Sequence, residues 1–151
     1  MSAFLALHIL SAIIWVGGMF FAYQCLRPVA AQIIEPPLRL QLWSGVFSIF
    51  FKWVWVSIAI LLISGHGMIA LLGGFSNIGV HIHMMLGSGY LMMAIFGHLY
   101  FNPFRKLKNA IAKENWPEAA EQLNKIRLIV AVNLTLGLIT ATIATAGKYL
   151  F

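Results

Sequence analysis

KWVWVSIAILLISGHGMIALLGGFSNIGVHIHMMLGSGYLMMAIFGHLYFNPFR, residues 52–105, carries no formal charge between its first and last residues, a run of fifty-two positions. The same run holds four of the chain's five histidines: His66, His81, His83 and His98. A bilayer crossing takes about 20 apolar residues, so this stretch predicts two crossings joined by the turn Gly73-Gly74-Phe75-Ser76-Asn77. Imidazole in hydrocarbon is costly unless it is paired or ligated, which makes histidines placed there candidates for function.

Two further apolar spans flank this pair. Four spans are expected in all, about 4–26, 47–73, 80–101 and 128–146, in a single domain of 151 residues. The first holds His8 and is followed by Arg27 and a polar turn with Glu35, Pro36, Pro37 and Arg39. Pro37 suits the first turn of a helix, where its missing N–H is not needed. From there to Gly73 the helix is too long for one crossing, so its early part is expected in water or at the interface. Asn102-Pro103 is expected to close the third span, ahead of a basic linker with Arg105, Lys106, Lys108 and Lys113. Asn115, with Pro117 in the first turn and Glu118 three residues on, reads as the N-cap of the last helix.

The fold class is therefore all-α: an integral membrane four-helix up-and-down bundle. Composition agrees, at 61% hydrophobic and 9% charged residues with a mean hydropathy of +0.88. Asp is absent and the four Glu lie outside the spans, which argues against a carboxylate-bridged di-iron site or an acid-based proton relay. A lone Cys25 excludes an internal disulfide and multi-cysteine clusters. The net charge of +6 is carried by helix ends, where topology accounts for it, and no nucleic-acid partner is expected. Basic residues fill the first and third connections, the second has none, and the chain ends contribute only Lys148. Both termini are thus expected outside, in a multi-pass protein of the bacterial inner (cytoplasmic) membrane. The opening stretch lacks the basic start of a cleavable signal and reads as a retained span.

At about 1.5 Å of rise per residue, His8, His66 and His83 all fall within roughly 5 to 10 Å of the outer face on three different helices. His81 lies at the rim, about 160° around the helix from His83, and is expected to bond a headgroup or carbonyl. His98 lies near the opposite face, and with Lys52 and Asn133 it could form a quinone or anion site. Lys52 equally reads as snorkelling to the inner headgroups. With no acid to pair with, His8, His66 and His83 read as metal or cofactor ligands, with His81 and His98 as weaker candidates.

Two ligands remain open. In an up-and-down bundle spans one and three are diagonal, so His8 and His83 could clamp a porphyrin, with small and aromatic positions (Ala12, Trp15, Gly87, Tyr90, Ala94) beneath them. With no CxxCH motif such a haem would be non-covalent, a haem b. Met68, Met84, Met85, Met92 and Met93 lie near the same spans, and thioether with imidazole is a copper(I) set.

The opening LHILSAIIWVGGMFFAYQCLRP, with His8, Trp15, Gly17, Gly18 and Arg27-Pro28, resembles the first span of the copper-resistance protein D family. VHIHMMLGSGY and RLIVAVNLTLGLIT fit small stand-alone members of that family. More distantly, the first span is similar to that of the J-type bacterial protoporphyrinogen oxidases. The resemblance implies a four-helix membrane unit, with copper uptake for the first family and haem binding for the second. His8 carries over to the relatives' motif. His83 stands where the oxidases have a lysine, which weighs against their activity and favours a bis-histidine iron. Two functions follow as expectations. One is a b-type haem protein passing electrons from a quinol or other donor to an outer acceptor, with His66 at a propionate or a second iron. The other is a copper(I) carrier using His and Met. The apolar outer faces would also permit a homodimer.

Overall fold

The structure, a computed structural model, describes residues 1–150. The side chains at 148 and 150 fall outside that description, and with them the expected role of Lys148. The regular elements are α1 (Ser2–Phe20), a π turn (Phe21–Leu26), α2 (Arg27–Ile33), α3 (Pro36–Leu71), a 3₁₀ turn (Phe75–Asn77), α4 (Val80–Leu99), a second π turn (Tyr100–Phe104), α5 (Arg105–Ala112) and α6 (Trp116–Leu150). Four continuous helical stretches, Ser2–Ile33, Pro36–Leu71, Val80–Ala112 and Trp116–Gly147, are long and apolar enough to cross a membrane. In the third, only 11% of the apolar window is buried inside the molecule. Most side chains of that window are not enclosed by the molecule, an arrangement suited to lipid rather than water.

Two helices run further than the sequence signals implied. The first does not give way to a turn after Arg27, and the third is not closed at Asn102-Pro103. Each passes its proline and continues, to Ile33 and to Ala112. Proline lacks an N–H and its ring crowds the carbonyl four residues back, at Gln24 for Pro28 and Leu99 for Pro103. A π turn beside each proline widens the helix and absorbs the misfit without ending it. The basic linker is correspondingly helical, as α5.

Other boundaries fall where local chemistry put them. Pro36 and Pro37 open α3, and Gly73 and Gly74 break its far end at φ of +92° and +96°, a left-handed region that glycine tolerates. Asn115 caps α6: its Oδ1 accepts from the Glu118 N–H at 3.3 Å, while its side-chain amide donates to the Glu118 carboxylate at 3.0 Å. The second bond differs from an ordinary capping box, in which the acid returns to the cap's backbone N–H.

We refer to the end carrying the basic connections as inner. At about 1.5 Å per residue, the 36 residues of α3 span roughly 54 Å, well beyond a hydrocarbon core of about 30 Å. The surplus does not hang free. Leu40, Trp43 and Phe47 of α3 are buried with Leu107 and Ala110 of α5 and with Ala119, Leu123 and Ile126 of α6. Leu107, Ala119 and Ile126 are 0% exposed. The early part of α3 is thus part of a packed inner extension.

Helix pairs meet in two ways. Against α1, α3 sits close because glycine leaves room: Gly18 lies under the Phe50 ring, Gly65 under His8 and Gly67 under Phe4. Against α4 and its π turn, α3 meets a broader aromatic seam. Trp43, Phe47, Phe51 and Trp55 form one row and Phe96, Tyr100 and Phe104 another, each at four-residue spacing. Phe51 meets Phe104 at 4.9 Å and Phe96 at 5.4 Å, edge to face, the arrangement aromatic quadrupoles favour. Trp15 reaches Phe96 from α1 at 6.0 Å, closing the centre. Between them remains a cavity of about 10 Å³, room for about one water. The outer half carries fewer buried side chains, among them Ser11 and Ser64.

Candidate metal-binding site at the outer end

The three outer histidines each arrive on a different helix. Residue 8 of α1 lies beside residues 64 and 65 of α3, so the His8 ring rests on Gly65, its Cε1 within 3.3 Å of where a Cβ would stand. Its Nδ1 lies 2.9 Å from Ser64 Oγ. The Ser64 hydroxyl donates to the Ile60 carbonyl at 2.6 Å, so its one proton is used and it accepts from His8. His8 is therefore an Nδ1–H imidazole, with Nε2 left as a bare lone pair.

The same logic fixes the other two. His83 Nδ1 lies 3.2 Å from the Gly79 carbonyl and His66 Nδ1 lies 2.9 Å from the Leu62 carbonyl. A carbonyl only accepts, so both rings carry their proton on Nδ1. Among the described residues the exposed His83 has no partner at Nε2, whereas His66 Nε2 accepts from the Tyr90 hydroxyl at 2.8 Å. That contact bridges α3 and α4. His83, Gly87, Tyr90 and Ala94 share one face of α4 and all are exposed, so they line the open side of the groove that Tyr90 spans.

Nδ1 held by an oxygen and Nε2 presented outward is the usual arrangement of a metal-ligating histidine, because the second hydrogen bond sets the tautomer and ring orientation. In His8 and His83 Nδ1 is held in this way and Nε2 has no partner among the described residues, and His66 would match once Tyr90 yields. Among the described residues, however, no three His, Cys, Asp or Glu side chains converge within reach of one metal ion. Each imidazole is separately anchored. Met84 is exposed and Met68 and Met85 are half-buried, while Met92 is part of the central core.

The remaining histidines are placed apart from these. His81 packs against Gly147 of α6 and over Gly79, away from the face of His83. His98 lines an inner groove of about 250 Å³ with Asn102, Lys106, Gln122 and Lys125. It does not meet Lys52 or Asn133: Lys52 is exposed, and Asn133 faces the central cavity while its amide donates to the Met92 carbonyl at 3.3 Å. Among the described residues no hydrogen bond joins the quinone or anion trio expected from sequence, since Asn133 is turned to the central cavity and His98 to the inner groove.

Sequence reasoning missed Ser64, which decides the tautomer of His8, and the bridging role of Tyr90. A signal for Ser64 existed. A hydroxyl buried in a charge-free helix needs a partner, and His8 is predicted at the same depth on the neighbouring span.

These features define a class, a multi-pass helical membrane protein with anchored imidazoles at one end of a four-helix bundle. A sequence model of the copper resistance protein D family matches residues 44–146. The chain belongs to that family. The match covers His66, His81, His83 and His98 and begins after the first span, leaving His8 outside it. No curated protein and no solved structure matches the chain.

Proposed function

We propose that this protein handles copper(I) in the bacterial inner membrane, taking the ion as substrate on imidazole nitrogen at the outer end of the bundle. His8 and His83 present Nε2, His66 adds a third nitrogen when Tyr90 releases it, and Met68, Met84 and Met85 supply nearby thioethers. The observation that carries the reading is the pair of Nδ1 anchors, Ser64 to His8 and Gly79 to His83, with neither Nε2 partnered among the described residues. Copper(I) suits such sparse sites of nitrogen and sulfur donors without carboxylate. The family's name points the same way. The basic inner connections support a cytoplasmic inner face and outward-facing termini. Titration of detergent-purified protein with copper(I) against a chromogenic chelator tests this. Binding is expected in the wild type and lost in His8→Ala and His83→Ala but retained in His81→Ala. Copper(I) binding unchanged in both of the first two variants rules it out.

A second reading keeps haem b, with His8 and His83 as axial ligands. It is favoured by the two free Nε2 atoms on α1 and α4, helices that face one another through Trp15 and Phe96. The aromatic centre has room for about one water, so a macrocycle is not accommodated there and would sit nearer the outer end. When bound, haem would supply one-electron transfer between a quinol or redox partner protein and an outer acceptor, making the protein a membrane oxidoreductase. Sharp visible bands in the reduced protein would establish this reading, and a featureless spectrum with stoichiometric copper would establish the first. A homodimer through the apolar outer faces is compatible with either.

A further inference from the structure

Three arginines from three helices lie near one another at the inner end of the bundle, and among the described residues none is paired with a carboxylate. Arg27 of α2 lies over the Tyr23 ring at 4.8 Å. Arg39 of α3 reaches back so that Nη1 donates to the Ala31 carbonyl at 3.1 Å, near the end of α2. Arg127 of α6 donates from Nη1 to Asn124 Oδ1 at 3.1 Å, while its Nε–H is buried with no acceptor. Arg27 and Arg39 lie close enough to Arg127 for their charges to oppose its own. All three side chains are half-buried. The nearest acid in sequence, Glu35, is exposed, and the salt bridge present among the described residues is Lys125 with Glu121.

Like charges gathered in partial burial, with a buried donor left open, are unfavourable unless an anion completes them. The geometry points to a site for the phosphate of an anionic phospholipid headgroup, held by Arg27, Arg39 and Arg127 in the inner leaflet. Guanidinium is the side chain suited to this, since its planar fork matches two phosphate oxygens and it stays charged when partly desolvated. Depth favours a lipid over a soluble ion. Arg27 and Arg127 sit next to the inner ends of the spans expected at 4–26 and 128–146, at the level of the headgroups.

An ordinary topological role for these residues needs only positive charge, so arginine-to-lysine exchange separates the two. Native mass spectrometry of the whole protein in mild detergent would measure retention of phosphatidylglycerol, phosphatidylcholine and inorganic phosphate. The wild type is expected to retain phosphatidylglycerol over phosphatidylcholine, with inorganic phosphate failing to displace it. The double variant Arg39→Lys with Arg127→Lys keeps the charge and topology, yet its phosphatidylglycerol affinity should fall about tenfold for each fork lost. Arg105→Lys, an exposed control, should leave it unchanged. Should the double variant misfold by circular dichroism, Arg27→Lys alone is read the same way. Equal retention of both lipids by the wild type, or a folded lysine variant that binds like it, overturns the site. Displacement by inorganic phosphate would assign it to a soluble anion and overturn the lipid.

Discussion

Replacing Ser64 by alanine isolates the proposed ligand chemistry from the rest of the bundle. Ser64 is 1% exposed and its hydroxyl does two things: it donates to the Ile60 carbonyl and accepts the Nδ1 proton of His8. Alanine fits the space and is slightly the better helix former, so α3 itself should persist. What is lost is the acceptor that holds the His8 tautomer. A buried donor left unsatisfied costs about 1–3 kcal/mol, and His8 can avoid that cost by turning or by moving its proton to Nε2. Either response removes the lone pair the metal needs. Loss of such an orienting partner typically weakens metal binding about 10- to 100-fold. Copper(I) affinity measured by chelator competition should fall by that factor in Ser64→Ala, while Ser57→Ala, another buried serine of α3, should leave it unchanged. A Ser64→Ala protein that binds copper(I) as tightly as the wild type would show that the Nδ1 anchor does not prepare His8 as a ligand.

Other consequences can be checked independently. Tyr90→Phe removes the hydroxyl that occupies His66 Nε2, so copper(I) binding should tighten if His66 is the third donor, measured by the same competition. Gly18→Ala places a methyl into the Phe50 ring and should destabilise the α1–α3 pair by about 1–3 kcal/mol, read as earlier thermal unfolding in detergent. Ile126→Ala in the inner extension, at 0% exposure, should cost about 2–5 kcal/mol. Asn115→Ala removes the cap of α6 and should cost about 1 kcal/mol, visible as faster amide exchange over the first turn from Trp116 while the outer half is unaffected.

Hydropathy announced the four crossings because lipid imposes a length and a composition on each helix and little else. Where the helices end was less legible. Arg27-Pro28 and Asn102-Pro103 carry strong stop signals, and both are overridden by π turns, since continued helix is rewarded by burial of Ala30 beyond the first and of Leu107 and Ala110 beyond the second. A proline's local cost can be read in sequence. The packing that offsets it lies many residues away and cannot.

The chain's pattern of charge and apolarity, by itself, determined that this is an all-helical membrane protein, and it singled out His8, His66 and His83, because an ionisable ring in a charge-free run stands out without any knowledge of neighbours. Tertiary structure decided what those rings can do. Only the approach of α1 to α3 puts Ser64 at His8, and only the groove between α3 and α4 brings Tyr90 to His66. Tautomer and ligand readiness depend on hydrogen-bond partners within about 3 Å, and such partners come from residues 56 and 24 positions apart in the sequence.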